Sequence, residues 1–157
     1  MKVAVFSDTH GDYAHVCKAL DSLEDVEHII HLGDTIDDAE MIEHILGASL
    51  IKIPGNCDCC ASAPREQLCC IAGKNIFIAH GDRYNVKDGL ERLRLKAESV
   101  GADIVLFGHT HRPFAETING VLFFNPGSLS DRCEVRSYGL LRISDDNIQA
   151  EIIPVET

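Results

Sequence analysis

The sequence predicts an α/β fold, a four-layer α/β/β/α sandwich of two mixed β-sheets flanked by helices. Three observations lead there. Residues 2–53 alternate strand-like and helix-like patterns, the signature of parallel strands joined by crossover helices. The last third alternates short apolar runs with turn signals, which favours antiparallel pairing. Runs such as Val3-Ala4-Val5-Phe6 are apolar at consecutive positions, as strands covered on both faces require. The chain has 157 residues and no repeat, low-complexity tract or Pro/Ser-rich linker, so residues 1–157 are expected to form a single domain around one core.

Taken in order, residues 2–7 read as a buried strand. Over 12–23, Ala14, Val16, Ala19, Leu20 and Leu23 recur at helical spacing, with Asp12 positioned to cap the N-terminus. A second strand covers 28–32, a helix about 38–46 with Gly47 just past its end, and a third strand 50–53. Segments 67–72 and 75–79 form a hairpin about Gly73-Lys74. A helix is expected over about 86–100 and a strand over 103–107. Asn119-Gly120 joins strands 114–118 and 121–124, the strongest short hairpin signal. Strands 138–143 and 148–155 flank a turn at 145–147.

Composition narrows the partners. Fourteen Lys plus Arg stand against 25 Asp plus Glu, a net charge of -11, and no basic cluster interrupts it. That excludes an electrostatic footprint for duplex nucleic acid or an anionic membrane. The N-terminal apolar stretch is too short for a signal peptide, and no apolar run approaches the ~18 residues of a membrane span, so a cytoplasmic location is expected. Oligomeric state is left open, a homo-oligomer included. Cys17, Cys57, Cys59, Cys60, Cys69, Cys70 and Cys133 make an odd count, which argues against a disulfide framework. The 57–70 spacing does not match paired zinc knuckles, so small thiols filling a loop and a strand are favoured over a thiolate metal site.

Five motifs share one placement, the end of a predicted strand: Asp8-Thr9-His10, Gly33-Asp34, Gly55-Asn56-Cys57-Asp58, His80-Gly81-Asp82 and Gly108-His109-Thr110-His111. Sites in α/β sheets assemble at carboxyl ends of strands, so these residues are expected to converge. Two carboxylates, an amide oxygen and four imidazoles suit divalent Mn, Fe, Co, Ni or Zn, and seven ligands are too many for one ion. The adjacent glycines permit tight turns and close packing around the site.

In this order, D-x-H, G-D, G-N, H-G and G-H-T-H resemble the signature of the calcineurin-like metallophosphoesterases. Asn125-Pro126-Gly127-Ser128 and Ser137-Tyr138-Gly139 resemble the small bacterial and archaeal phosphodiesterase branch, and the likeness runs from residue 3 to about 145. It implies two divalent transition metal ions, manganese first among the candidates. One would be held by Asp8, His10, Asp34 and His111, the other by Asp34, Asn56, His80 and His109. Asp34, Asn56 and His109 then act beside a metal-bridging hydroxide, the nucleophile. Ions roughly 3.5–4 Å apart acidify such a water and stabilise an in-line displacement. Four positive charges less two carboxylates and one hydroxide leave about +1, a local attraction for phosphate in an acidic chain.

Two positions depart from the pattern. Cys57 stands where many relatives carry a histidine that assists the leaving group, and a thiol is the poorer acid near neutrality. Asp82 replaces a histidine, and would orient a ligand imidazole. Asp37 and Asp58 are candidates for the same role, with a solvated or helix-capping carboxylate favoured for each. Ser128 belongs to a loop expected beside the site. Arg83 and Arg112, flanking metal motifs, are read as surface charge ahead of ligands for a distal phosphate. His15, His28, His31 and His44 are taken as structural and away from the site. The expected function is hydrolysis of small phosphodiesters, nucleotide-derived ones included. The alternatives are a phosphomonoesterase, a dinucleotide polyphosphate hydrolase, or a non-catalytic interaction scaffold like the retromer coat subunit of this fold, which has eroded the ligands kept here.

Overall fold

Alternation along β1 (Lys2–Phe6) defines the layers of the computed structural model, which describes residues 1–156. Val3 and Val5 enter a core shared with Ile30, Leu32, Ile78, Leu106 and Phe124, while Ala4 and Phe6 face Val16, Ala19, Ala39 and Ile42. The latter four come from α1 (Tyr13–Asp21) and α2 (Ile36–Leu46), which cover one sheet. In the other sheet, β5 (Lys74–Ala79) and β6 (Ile104–Leu106) send Ile76, Ile78, Ile104 and Leu106 inward. Phe77, Ala79 and Val105 turn outward onto Leu93 and Ala97 of α3 (Glu91–Val100). The result is the predicted α/β/β/α sandwich.

The remaining strands are β2 (His28–His31), β3 (Ile51–Lys52), β4 (Glu66–Ile71), β7 (Phe114–Ile118), β8 (Val121–Asn125), β9 (Arg136–Ile143) and β10 (Ile148–Val155). The first sheet has the order β10-β9-β1-β2-β3 and the second β4-β5-β6-β8-β7. Within them β1, β2 and β3 are parallel, as are β5, β6 and β8, with antiparallel strands at the margins. Both sheets therefore present carboxyl ends of parallel strands to a common edge.

Local differences from the sequence reading have physical causes. The first hairpin turns at Ala72-Gly73, both with positive φ, because Ile71 pairs with Lys74. The helix expected over 86–100 begins only at Glu91, since Asn85 (φ 53°) and Gly89 (φ 142°) break it and a short 3-10 turn covers Asp82–Tyr84. Asp12 does occupy the N-cap position of α1 but makes no cap bond; its carboxylate accepts instead from the Asp131 amide at 2.7 Å. All seven cysteines are free thiols; Cys57, Cys59 and Cys60 lie in the exposed loop after β3, and Cys69 and Cys70 in β4, the loop and strand positions expected.

Phe124 is fully buried between the sheets. Phe124→Ala should lower unfolding free energy by about 3–5 kcal/mol, read by urea denaturation.

Candidate metal centre

Five strand ends deliver the site. Asp8 and His10 follow β1, Asp34 follows β2, Asn56 follows β3, His80 follows β5, and His109 and His111 follow β6. Asp8, His10, Asp34, His109 and His111 all have φ between 49° and 69°, a region that side-chain-bearing residues adopt sparingly. Such conformations persist where surrounding bonds over-determine them. Here the Asp8 amide donates to Gly33 O at 2.9 Å and Ser128 Oγ to Asp8 O at 2.7 Å. Asn125 Nδ2 holds Gly108 O and Thr110 Oγ1. Packing leaves no room for error: a Cβ at Gly55 would lie 2.1 Å from Asp34 Oδ1, and one at Gly108 2.0 Å from Ser7 Oγ.

Donor atoms of Asp8, His10, Asp34 and His111 lie within 4.8 Å of one another, and so do those of Asp34, His80 and His109. Asp34 is common to both groups. Asn56 Oδ1 lies 3.0 Å from His80 Nε2, beside the second group. Hydrogen bonds tie the two sheets together at this point, with His80 Nδ1 2.8 Å from Leu32 O and the His109 amide donating to Asp8 Oδ2.

The arrangement fits cations better than internal pairing. Asp8 Oδ1 is buried without a hydrogen-bond partner, although His111 Nε2 is 3.1 Å away. The Nε2 atoms of His10 and His111 approach to 3.3 Å. Such donors, converging on common points, are what divalent ions satisfy. Burial resists ionisation of Asp34, but His80 and the Cys57 amide overcome it and hold its carboxyl well below the usual range. Burial likewise opposes ionisation of Asp8, and His111, His80 and Ser7 outweigh it. His109 is also lowered, by burial, His80 and Lys87, which favours its neutral form.

Residues 1–146 match the model of the calcineurin-like phosphoesterase superfamily domain. The chain belongs to that superfamily. A probable metallophosphoesterase of Methanocaldococcus jannaschii is 34% identical over 99% of this chain and 82% of that protein. A phosphodiesterase of the same organism is 32% identical over 81% and 83%. The crystal structure of a predicted phosphoesterase from Streptococcus pneumoniae superposes with a TM-score of 0.83 at 26% identity, covering 98% of this chain and 88% of that one.

In this calcineurin-like phosphoesterase Asp58 and Asp37 take the favoured capping and solvated roles, while other supporting residues differ from expectation. Asp58 is the helix-capping carboxylate, accepting from the amides of Asp34, Thr35, Ile36 and Gly55 at 2.8–3.1 Å. Asp37 is exposed and supports nothing at the centre; its neighbour Asp38 is buried and accepts from Thr9 Oγ1 and the Gly11 amide. Asp82 does not orient a ligand through a hydrogen bond; for His80 the Leu32 carbonyl does so. Ser128 is fully buried, with its hydroxyl bonded to the Asp8 carbonyl. His31 is not remote either: fully buried beneath the site, it accepts from the Gly33 amide at Nδ1 and meets Thr9 Oγ1 through Nε2 at 3.1 Å.

Burial, opposed by Asp38, pushes the His31 imidazole down to about 4 from 6.5. Between those pH values the unfolded chain binds the proton and the folded one does not, so acidification should remove up to about 3 kcal/mol of stability. In metal-free protein, His31→Gln should flatten the stability-against-pH slope over that window, measured by denaturation at each pH.

Proposed function

We propose that this protein is a metal-dependent phosphodiesterase hydrolysing small phosphodiesters, nucleotide-derived ones included. The observation that carries this is Asp34, one carboxylate common to two donor groups. Asp8, His10, Asp34 and His111 would hold one divalent ion and Asp34, Asn56, His80 and His109 a second, with manganese first among Mn, Fe, Co, Ni and Zn. When bound, the ions acidify a shared water and offset charge on the phosphoryl oxygens. The chain's own groups prepare that event. Leu32 O fixes the His80 tautomer so that Nε2 faces the centre, Ser7 donates to Asp8, and the Cys57 amide steadies Asp34.

Cys57 supports the preference for diesters. Burial and the Asp34 carboxylate push its thiol up, so it is a weak proton donor near neutrality. Leaving groups that depart without protonation are then favoured. The related phosphodiesterase of M. jannaschii supports the same reading. A monoesterase or dinucleotide polyphosphate hydrolase would use the same centre, whereas a scaffold would have no need of all seven ligand side chains. A cytoplasmic, single-domain enzyme is part of this proposal.

Metal analysis after reconstitution should give about two ions per chain. Loss of residues that merely orient ligands costs about 10–100-fold, so Asp34→Asn should lower aryl phosphodiester hydrolysis by about 100-fold or more and reduce metal content. Retention of both metals and full activity would overturn the mechanism. Cys57→Ser should leave aryl ester hydrolysis nearly unchanged, and a large loss would make Cys57 a ligand or a catalyst.

A further inference from the structure

Two clefts flank the metal centre, and they differ in charge. One, about 490 Å³, is lined by Asp37, Glu40, Asp58 and the Cys57–Cys60 thiols, and its lysine, Lys52, is paired with Glu43 at 2.6 Å. The other, about 590 Å³, has walls of Val86, Leu90, Phe107 and Phe114 and carries Lys87 and Arg112. Thr110, between His109 and His111, also lines it, so it opens directly beside the ligand loop. Neither Lys87 nor Arg112 forms an ion pair among the described residues, in a chain of net charge -11. Thr110 Oγ1 accepts from the Arg112 amide, which fixes the backbone from which that guanidinium extends.

The volume falls within the range of small-molecule sites, which combine apolar walls with a few placed polar groups. Phe107 is buried behind Phe114, 6.1 Å between ring centroids, and the half-buried Phe114 offers a face on which any base can stack. Two free cations on the rim match a further anionic group and would be unfavourable to a neutral one.

We propose that this second cleft binds the nucleoside of the substrate, with Lys87 and Arg112 gripping a second phosphoryl group on it. The inference rests on the phosphodiesterase reading and names its substrate class, a nucleotide diester bearing an additional phosphate. The acidic cleft beside Cys57 would repel that charge.

Three substrates that release the same p-nitrophenol separate the contributions: bis(p-nitrophenyl) phosphate, the p-nitrophenyl ester of thymidine 5′-phosphate, and that ester with an added 3′-phosphate. With reconstituted enzyme, kcat/KM should rise along the series. In Lys87→Gln/Arg112→Gln the advantage of the third over the second should fall about tenfold, mainly through KM, as expected for loss of charge-assisted bonds. Lys18→Gln/Lys74→Gln, a matched charge loss elsewhere, should preserve that advantage. An unchanged ratio in the cleft variant, or no gain along the series while bis(p-nitrophenyl) phosphate is hydrolysed, overturns the assignment. Absence of hydrolysis of all three instead counts against the phosphodiesterase reading. The cleft is then judged by equilibrium binding of thymidine 3′,5′-bisphosphate, which should weaken about tenfold in the same variant; equal binding overturns it. Concentration-dependent dimerisation abolished by the two substitutions would also overturn it, assigning the cleft to a second copy of the chain.

Discussion

Two carboxylates buried within reach of four imidazoles, with Asp8 Oδ1 lacking a hydrogen-bond partner, form the constraint around which the rest of this structure is arranged. Buried anions are tolerated only where charge and hydrogen bonds answer them. Part of the answer is internal: Ser7 and the His109 amide reach Asp8 Oδ2, and the Cys57 amide reaches Asp34 Oδ1. The remainder calls for cations, and the family is metal-dependent. Because the donors come from both sheets, the sandwich has to hold its two halves in register at one edge. The bonds from His80 to Leu32 and from His109 to Asp8 do this where the site itself is assembled.

Strain is concentrated at the same edge. Five of the candidate metal-binding residues sit at positive φ, and their loops are restrained by groups outside the two donor clusters. Asp58 gathers three amides at the start of α2 and that of Gly55 after β3, and Ser128 anchors the Asp8 carbonyl. A second buried chain runs from the Gly33 amide through His31 and Thr9 to Asp38, tying the β1 and β2 loops together below the ligands. Preorganisation of this kind keeps converging donors in place where they repel or ignore one another, and it holds them ready for the ions.

The layers, the strand-end placement of the motifs and the convergence of their donors were legible because they follow from short-range chemistry: apolar runs, turn residues, and donor types at strand ends. The supporting residues were not, because their roles depend on which way a side chain turns after folding. Asp37 and Asp38 are adjacent acids in the first turn of one helix, and only the helix's orientation decides that Asp38 is buried and Asp37 is not. Ser128 lies beside the site as expected, but sequence gives its proximity and not the face it presents, which here is buried against the Asp8 carbonyl. His31 looked remote because it lies inside a strand, yet the strand's last residue lies directly under the metal loops.

The start of α3 marks the division between chemistry and recognition. A regular helix over 86–100 would satisfy the apolar pattern, but Asn85 and Gly89 divert the chain, and the irregular segment before Glu91 carries Val86, Lys87 and Leu90 to the cleft beside His109. Strand ends and the bonds beneath them fix the candidate metal-binding side chains, whereas an irregular segment resting on the strands can vary its side chains without disturbing that geometry. If the second cleft binds substrate as proposed, recognition lies where the periodic pattern fails, which is why the donor clusters can be read from strand-end motifs while the cleft emerges only from the fold.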